Sequence, residues 1–217
     1  MSITVFIADD HAVVRDGLRL LLEEQNDIKV IGEAANGRDA VSQVTQLCPD
    51  VAIIDIAMPE QNGIEATQKI CEACTFTRVI ILSMHSTSEH IFRALQSGAS
   101  GYLLKESAGI EVVNAIRAVH DGYRYLSKKI SEKGIETYMR QREKGEMKSP
   151  LARLSTRERE ILQLVVEGKS SAEIADIFNL SPKTIETYRS RLMGKLGINN
   201  LPSLIKFAIQ HGLTPLE

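Results

Sequence analysis

Apolar residues in the first half of the chain fall into short runs: ITVFIA (3–8), KVIGEA (29–34), VAIID (51–55), VIILS (79–83) and GYLLK (101–105). Runs of this length, rich in Val, Ile and Leu, read as parallel strands buried on both faces. Between them the apolar positions take helical spacing, over 12–25, 37–47, 63–73, 88–98 and 108–121. In the first of these segments Val13, Leu18, Leu21 and Leu22 share a face, while Arg15, Asp16, Arg19 and Glu23 lie elsewhere. Gly32 and Gly37 bracket one break, and Gly98 and Gly101 punctuate the step into the last strand. Alternating β and α segments predict right-handed crossovers and a parallel sheet covered by helices on both sides.

The pattern changes after residue 122. Residues 123–150 are polar and charged, end in Pro150, and predict a helix over 126–143, weakened near Gly134, then a flexible linker over 144–152. From residue 153 the pattern is all-helical. Ser155 with Glu158, and Ser170 with Glu173, have the spacing of capping boxes. The first opens a helix carrying Ile161, Leu162, Leu164 and Val165; the second opens a short helix carrying Ile174, Ala175, Ile177 and Phe178. A tight turn at Asn179-Leu180 leads to Ser181-Pro182, an N-cap followed by Pro at the first helical position. That third helix runs to Leu196 and stops at Gly197, and a fourth spans about 201–211. The predicted organisation is therefore 1–122, a connecting segment 123–152, and 153–217.

The net charge of −2 hides an asymmetry: residues 1–120 hold nine Lys or Arg against sixteen Asp or Glu, and residues 121–217 hold seventeen against twelve. An acidic half beside a basic half points to different partners, with nucleic acid a candidate for the basic one. Met1-Ser2 leads directly into a strand-like run, and no apolar stretch reaches the ~18–20 residues of a membrane span, so a cytoplasmic protein without a membrane partner is expected. Of the three cysteines, Cys71 and Cys74 form a CxxC on a helical pattern, with no second pair or His cluster beside it. They and Cys48 read as half-buried helix thiols in a reducing compartment.

The candidate chemistry lies at the ends of the apolar runs, where Asp9, Asp10, Asp55, Ser83 and Lys105 stand. In an open parallel sheet, ligands bind beyond the carboxyl ends of the strands, so these side chains converge in one shallow pocket. Asp9 or Asp10 can hold a divalent cation, Mg²⁺ or Mn²⁺, while Asp55 acts as nucleophile toward a phosphoryl group. Lys105 can pair with a phosphate oxygen and Ser83 can donate to the same group. One carboxylate at a strand end is ordinarily a helix cap; three carboxylates, a hydroxyl and an ammonium together are not.

ADD (8–10), VAIIDIAMPEQNG (51–63), LSMHS (82–86) and GYLLKES (101–107) resemble the receiver domain of two-component response regulators, over residues 3 to about 122. The resemblance implies an α/β flavodoxin-like fold with a parallel five-stranded sheet of order 2-1-3-4-5. It also implies that Asp55 is the phospho-acceptor and that Asp9, Asp10, Asp55 and the Ala57 carbonyl hold Mg²⁺. Ser83 and Tyr102 would be switch residues and Lys105 the phosphate-pairing lysine. Glu106 departs from the pattern, since many receivers place Pro after this lysine.

The basic half reads as a helix-turn-helix. On its third helix Ile185, Leu192 and Leu196 form an inward stripe with Tyr188 at the edge, leaving Lys183, Thr184, Glu186, Thr187, Ser190 and Arg191 outward or flanking. Lys183, Arg189, Arg191 and Lys195 can reach phosphates. LSTREREILQLVVEGKSSAEIADIFNLSPKTIETYRSRLMGKLGI (154–198) resembles the DNA-binding domain of the NarL/FixJ/LuxR class, an all-α four-helix unit. That implies a recognition helix at 181–195. Glu186, Thr187 and Ser190 would face base edges, Lys183, Thr184, Tyr188, Arg189, Arg191 and Lys195 would face the DNA backbone, and the fourth helix would serve dimer contact. The expected protein is a bacterial transcription regulator whose Asp55 is phosphorylated by a sensor histidine kinase, and which binds double-stranded DNA as a homodimer on activation. It is not an enzyme beyond Mg²⁺-dependent autophosphorylation from small phosphodonors and slow self-dephosphorylation. The alternative is a phosphorylation-independent DNA binder whose receiver serves only protein interaction; an aspartyl-phosphate phosphatase lacks support, since no cap domain is evident.

Overall fold

In a computed structural model of the protein, residues 2–130, 140 and 150–214 are described. Along the first part the elements are β1 (Ile3–Ala8), α1 (Ala12–Glu23), β2 (Ile28–Ala34), α2 (Gly37–Leu47), β3 (Val51–Asp55) and α3 (Gly63–Ala73). They continue with β4 (Arg78–Ser83), α4 (Ser88–Gln96), β5 (Gly101–Leu104), α5 (Ala108–His120) and β6 (Tyr125–Leu126), with a 3₁₀ turn at Lys105–Ser107. All pairings are parallel, in the order β2-β1-β3-β4-β5-β6. The doubly wound α/β architecture and the order of the first five strands are as expected.

Alternation along the strands divides the core in two. Phe6, Ala8, Ala52, Ile54, Ile81 and Tyr102 face one side of the sheet, with Ala40, Val44, Ile64, Ile70, Ile91 and Ala94 of α2, α3 and α4. Val5, Ile7, Ile53, Ile80, Leu82 and Leu103 face the other, with Leu18, Leu22, Val112, Ala115 and Ile116 of α1 and α5. Removing this apolar surface from water, at about 25 cal/mol per Å², is the main force holding the layers together.

Four details differ from the pattern-based reading. Val13 is 85% exposed; Val14, one position on, joins Leu18, Leu21 and Leu22 on the inner face of α1. Gly32 does not break β2 but lies inside it, opposite Phe6, where the register shifts; a Cβ there would sit 2.8 Å from the Phe6 ring. The predicted 126–143 helix does not begin at 126. Tyr125 and Leu126 instead add a sixth strand beside β5, and Ser127 turns inward; apart from Arg140, residues 131–149 lie outside the described residues. At the end of the predicted linker, Pro150–Arg153 form a 3₁₀ turn whose Leu151 is buried in the second domain, so apolar burial there overrides the loop-forming composition.

The C-terminal helices are α6 (Thr156–Val166), α7 (Ser171–Phe178), α8 (Pro182–Leu196) and α9 (Leu201–Gln210). Both capping boxes form, with Ser155 and Ser170 accepting from Glu158 N and Glu173 N. Ser181 caps α8 by accepting from Thr184 N, and Gly197 ends it in the left-handed region at φ 68°. Leu151, Leu154, Ile161, Leu162, Leu164, Ile174, Ile185, Leu192, Leu204 and Ala208 make one core.

The sixth strand is anchored by Ser127. Its N–H donates to Tyr102 O at 2.9 Å, and its Oγ accepts from Leu104 N at 3.2 Å and lies 3.0 Å from Ser107 Oγ. Ser127→Ala strands the buried Leu104 N–H next to Lys105. It is expected to cost about 1–3 kcal/mol in chemical denaturation and to speed amide exchange at Leu104; unchanged exchange there would contradict this anchoring role.

Candidate functional site

The parallel register sets the carboxyl ends of β1, β3, β4 and β5 side by side, with Ala8 opposite Ile54, Asp55 opposite Leu82 and Ser83 opposite Leu104. Asp9, Asp55, Ser83 and Lys105 therefore meet, with Asp10 at the rim. Asp9 is 0%, Asp55 2% and Ser83 1% exposed, whereas Asp10 is partly open. Lys105 Nζ lies 2.8 Å from Asp9 Oδ2 and 2.9 Å from Asp55 Oδ2. Both contacts are poorly aligned as hydrogen bonds, so these buried carboxylate oxygens retain lone pairs for a further cation. Burial raises the Asp55 pKa to about 6, aided by the charge of Asp9 and opposed by Lys105. Burial alone would lower the Lys105 pKa, but Asp55 and Asp9 outweigh it and raise it.

Donor atoms of Asp9, Asp10, His11 and Asp55 lie within 4.8 Å of one another. Three carboxylates form a hard oxygen set that suits Mg²⁺ or Mn²⁺. His11 Nδ1 sits 2.6 Å from Asp10 Oδ1 and His11 N donates to Asp9 Oδ1 at 2.9 Å, so His11 orients the pair. Among the described hydrogen bonds none uses the Ala57 carbonyl, which leaves it open as a further oxygen donor. Ser83 Oγ accepts from His85 N at 3.0 Å and keeps its own proton to donate. Tyr102, fully buried, donates to the same residue's carbonyl at 2.7 Å; burial raises its pKa. His85 thus joins Ser83 and Tyr102, a link that no spacing rule could reveal. Every peptide bond among the described residues is trans, Lys105–Glu106 included.

Sequence reasoning also missed Gly63. A Cβ there would lie 1.9 Å from Asp55 O, so only glycine lets α3 start against the end of β3. Asn62 caps the helix by accepting from Ile64 N and Glu65 N.

On α8, Lys183, Glu186, Thr187, Ser190 and Arg191 are exposed, and Thr184, Tyr188 and Arg189 are partly so. Ile185 and Leu192 are buried and Leu196 packs beside them, so the inward stripe is as expected. Four of the expected contact residues are already engaged, Thr187 by donating its Oγ1 hydrogen to Lys183 O at 3.0 Å. Lys195 Nζ pairs with Glu158 Oε2 at 2.7 Å, Arg189 Nη1 donates to Ser171 Oγ at 3.2 Å, and Thr184 Oγ1 meets Ser181 Oγ at 2.8 Å.

Residues 5–117 match the model of the response regulator receiver domain, and residues 152–208 match that of bacterial regulatory proteins of the luxR family. The chain is a NarL/FixJ-type two-component response regulator. It is 40% identical to the response regulator UvrY of Escherichia coli K12 over 215 residues, covering 99% of this chain and 97% of that one. It is 37% identical to the oxygen regulatory protein NreC of Staphylococcus epidermidis RP62A over 213 residues, covering 96% and 98%. The solved RcsB response regulator of Salmonella typhimurium is 27% identical over 97% of this chain and 98% of that one, with a TM-score of 0.66. RcsB is also solved in complex with DNA, at 28% identity and a TM-score of 0.56, over 97% of this chain and 99% of that one.

In this regulator the two halves are in contact through the loop that follows Asp55. Gln163 Nε2 donates to Met58 O at 2.8 Å, and its Oε1 accepts from Asn62 N at 2.7 Å. Glu167 accepts from Glu60 N at 3.2 and 3.3 Å, and Glu60 has φ 65°, a strained value for a non-glycine residue. Arg159 Nε donates to Glu65 Oε1 at 2.7 Å, and Arg93 Nη1 donates to His211 O at 3.1 Å. The docked face is thus α6, Phe178 at the end of α7 with Arg38 5.4 Å over its ring, and the residue after α9; none of these contacts uses α8. Gln163, 2% exposed and set within the apolar stretch Ile161–Val165, was the overlooked signal.

An ordinary aspartate titrates near 3.8. Between roughly pH 4 and pH 6 the folded regulator therefore holds a proton on Asp55 that the unfolded chain has released. The buried charge weakens folding at neutral pH, and that loss is recovered as the pH falls from about 6 toward 4. Asp55→Asn without divalent cations is expected to be more stable than the parent by ~1–3 kcal/mol at pH 7.5, with the gap shrinking at pH 4.5. Denaturant titrations at both pH values measure it, and a gap of the same size at both would refute the assignment.

Proposed function

We propose that this regulator carries phosphoryl groups on Asp55 and uses them to control sequence-specific DNA binding as a dimer. The observation that carries the reading is the pocket itself: Lys105 faces both Asp9 and Asp55, and Ser83 stands at the neighbouring strand end. Asp55 is the nucleophile toward a phosphoryl group delivered by a sensor histidine kinase. Lys105 is placed to pair with an oxygen of the incoming group and Ser83 to donate to another. Asp9, Asp10, Asp55 and the Ala57 carbonyl would hold Mg²⁺, which when bound neutralises phosphoryl charge. Autophosphorylation from small phosphodonors and slow self-dephosphorylation follow from the same pocket. No described helix is long and apolar enough to cross a membrane, which fits a cytoplasmic protein.

The route from pocket to DNA runs through two contacts flanking Asp55. One is the 58–62 loop with Gln163 and Glu167. The other is His85, whose ring stacks on His90 of α4 at 4.4 Å, and His90 borders Gly212 beyond α9. Burial and the neighbouring His85 lower the His90 pKa to about 4, so the stack is neutral at physiological pH. Ile205 and Ile209 of α9 line a cleft of about 500 Å³ with Pro59, Glu60, Val166 and Glu167. Docking thus borders the helix this class uses for dimer contact, and phosphorylation would favour dimers by shifting a two-state docking equilibrium. We place the receiver at 1–122, the connecting segment at 123–152 and the DNA-binding domain at 153–217. On α8, Glu186, Thr187 and Ser190 are assigned to base edges. Lys183, Thr184, Tyr188, Arg189, Arg191 and Lys195 are assigned to the DNA backbone, with Lys195 having to leave Glu158 to reach a phosphate.

Three experiments test this reading. Genomic fragments captured by the purified protein with Mg²⁺ should be enriched at a few sites only when beryllofluoride is added, and Asp55→Ala should abolish that dependence. Equal enrichment with and without beryllofluoride would favour a phosphorylation-independent binder. On the captured site, Thr187→Ala should reduce discrimination between sequences, while Arg191→Ala should weaken binding to all sequences and lower the salt slope by about 1; identical effects would overturn the face assignment. Gln163→Ala removes two interdomain hydrogen bonds worth roughly 1 kcal/mol each and should raise DNA affinity of the unphosphorylated protein several-fold in fluorescence anisotropy. An affinity unchanged by that substitution would show that docking does not restrain binding.

A further inference from the structure

The three cysteines do not pair as their spacing suggests. Cys71 turns its thiol to Gly98 O at 3.6 Å, while Cys48 and Cys74, twenty-six residues apart, bring their sulfurs to 3.1 Å. All three are free thiols. Cys48 ends α2 in the left-handed region at φ 43°, its N–H donating to Val44 O, and Cys74 ends α3, its N–H donating to Ile70 O at 2.7 Å. The segments that follow are tied together: Thr77 Oγ1 donates to Pro49 O at 2.7 Å and Arg78 N donates to Asp50 O at 2.9 Å. The two sulfurs are therefore held together by helix ends and strand starts rather than by flexible loops. Cys48 is exposed and Cys74 is 6% exposed.

We propose that Cys48 and Cys74 form a peroxide-oxidisable dithiol, a modification site separate from the Asp55 pocket. Cys48 releases its proton and the thiolate attacks one oxygen of hydrogen peroxide; the O–O bond breaks, the leaving hydroxide takes up the released proton and departs as water, and the sulfur becomes a sulfenic acid. The Cys74 sulfur then attacks the Cys48 sulfur. The S–S bond forms, the S–O bond breaks, and the hydroxide departs with the Cys74 proton as a second water. Two thiols and one peroxide thus give one disulfide and two waters. Exposure makes Cys48 the residue oxidised first. Burial and the contact with Cys48 raise the Cys74 pKa to about 11, which suits a resolving thiol rather than the initial nucleophile. Closure from 3.1 Å to a bond of about 2.05 Å needs only ~1 Å of movement. Where glutathione keeps thiols reduced, such a bridge forms transiently and reports oxidant. The bridge would close a segment containing β3, Asp55 and the loop that meets Gln163. It would also fasten α2 to α3, and α2 reaches that loop through Gly37 N, which donates to Pro59 O at 3.3 Å.

The test is peptide mapping of the full-length protein after hydrogen peroxide treatment, denaturation and thiol alkylation. The expected result is a linked peptide joining Cys48 to Cys74, an alkylated Cys71, no crosslinked dimer, and full reversal by dithiothreitol. Cys71→Ser should behave like the parent, and in Cys48→Ser the Cys74 thiol should remain alkylatable. The oxidised parent should unfold at a midpoint higher by roughly 5–10 °C, a rise absent from oxidised Cys48→Ser. A Cys71–Cys74 bridge, a dimer linked through Cys48, or Cys48 advancing to sulfinic acid without a bridge would each overturn the proposal. Circular dichroism confirms that each variant is folded, and the mapping of the parent protein decides the matter without any variant.

Discussion

Lys105 sits between two buried carboxylates, 2.8 Å from Asp9 and 2.9 Å from Asp55, and the rest of the receiver is arranged around that contact. Two carboxylates buried this deeply repel each other, and an ammonium between them relieves part of the repulsion. The relief is incomplete, since the Asp55 pKa still rises to about 6. The pocket therefore retains unmet demand for positive charge, which a divalent cation would meet. The sheet makes this contact possible: its parallel strands, in this order, bring the ends of β1, β3 and β5 within reach of one another.

Asp55 is also the last residue of β3, so whatever holds the loop after it holds the pocket. Gly63 packs on the Asp55 carbonyl, and Glu60 takes a strained backbone angle. Gln163 and Glu167 of α6 satisfy Met58 O, Glu60 N and Asn62 N. Backbone groups that would otherwise be hydrated by solvent are thus bonded to the DNA-binding half. A change of charge at Asp55 and a change of domain contact act on one five-residue loop. This gives the two sites a physical means of biasing the same element.

Helix α8, the proposed recognition helix, stands apart from that contact. Its exposed side chains are open in the docked arrangement, while Ile205 and Ile209 of α9 border the receiver. Docking therefore borders α9, the proposed dimer helix, and leaves α8 uncovered. The Lys195–Glu158 ion pair, formed with a residue of the α6 capping box, shows the helix bound into its own domain by a charge that composition alone would assign to phosphate.

The sequence by itself determined the elements whose causes are local. Burial on both faces made β1, β3, β4 and β5 legible as apolar runs, and half-buried β2, with Lys29 and Glu33, kept enough of that pattern. Capping boxes placed the starts of α6 and α7, and Ser181-Pro182 with Gly197 bounded α8. The pocket was legible too, because each of its residues ends a strand and the chemistry of a strand end follows from topology. Tertiary structure decided what depends on residues far apart in the chain. Two-residue β6 exists because β5 offers an open edge, and Ser127 finds Leu104 there. Val13 faces water because the inner stripe of α1 is offset by one position, a shift that helical spacing over twelve residues hardly distinguishes. Gln163 looked like an unremarkable polar residue until the Met58–Asn62 loop was laid against it. Cys48 met Cys74 rather than Cys71 coming into play, because two helix ends converge at the amino ends of β3 and β4. Local causes act within a few residues and can be read along the chain; partners brought together by packing are visible only once the chain is folded.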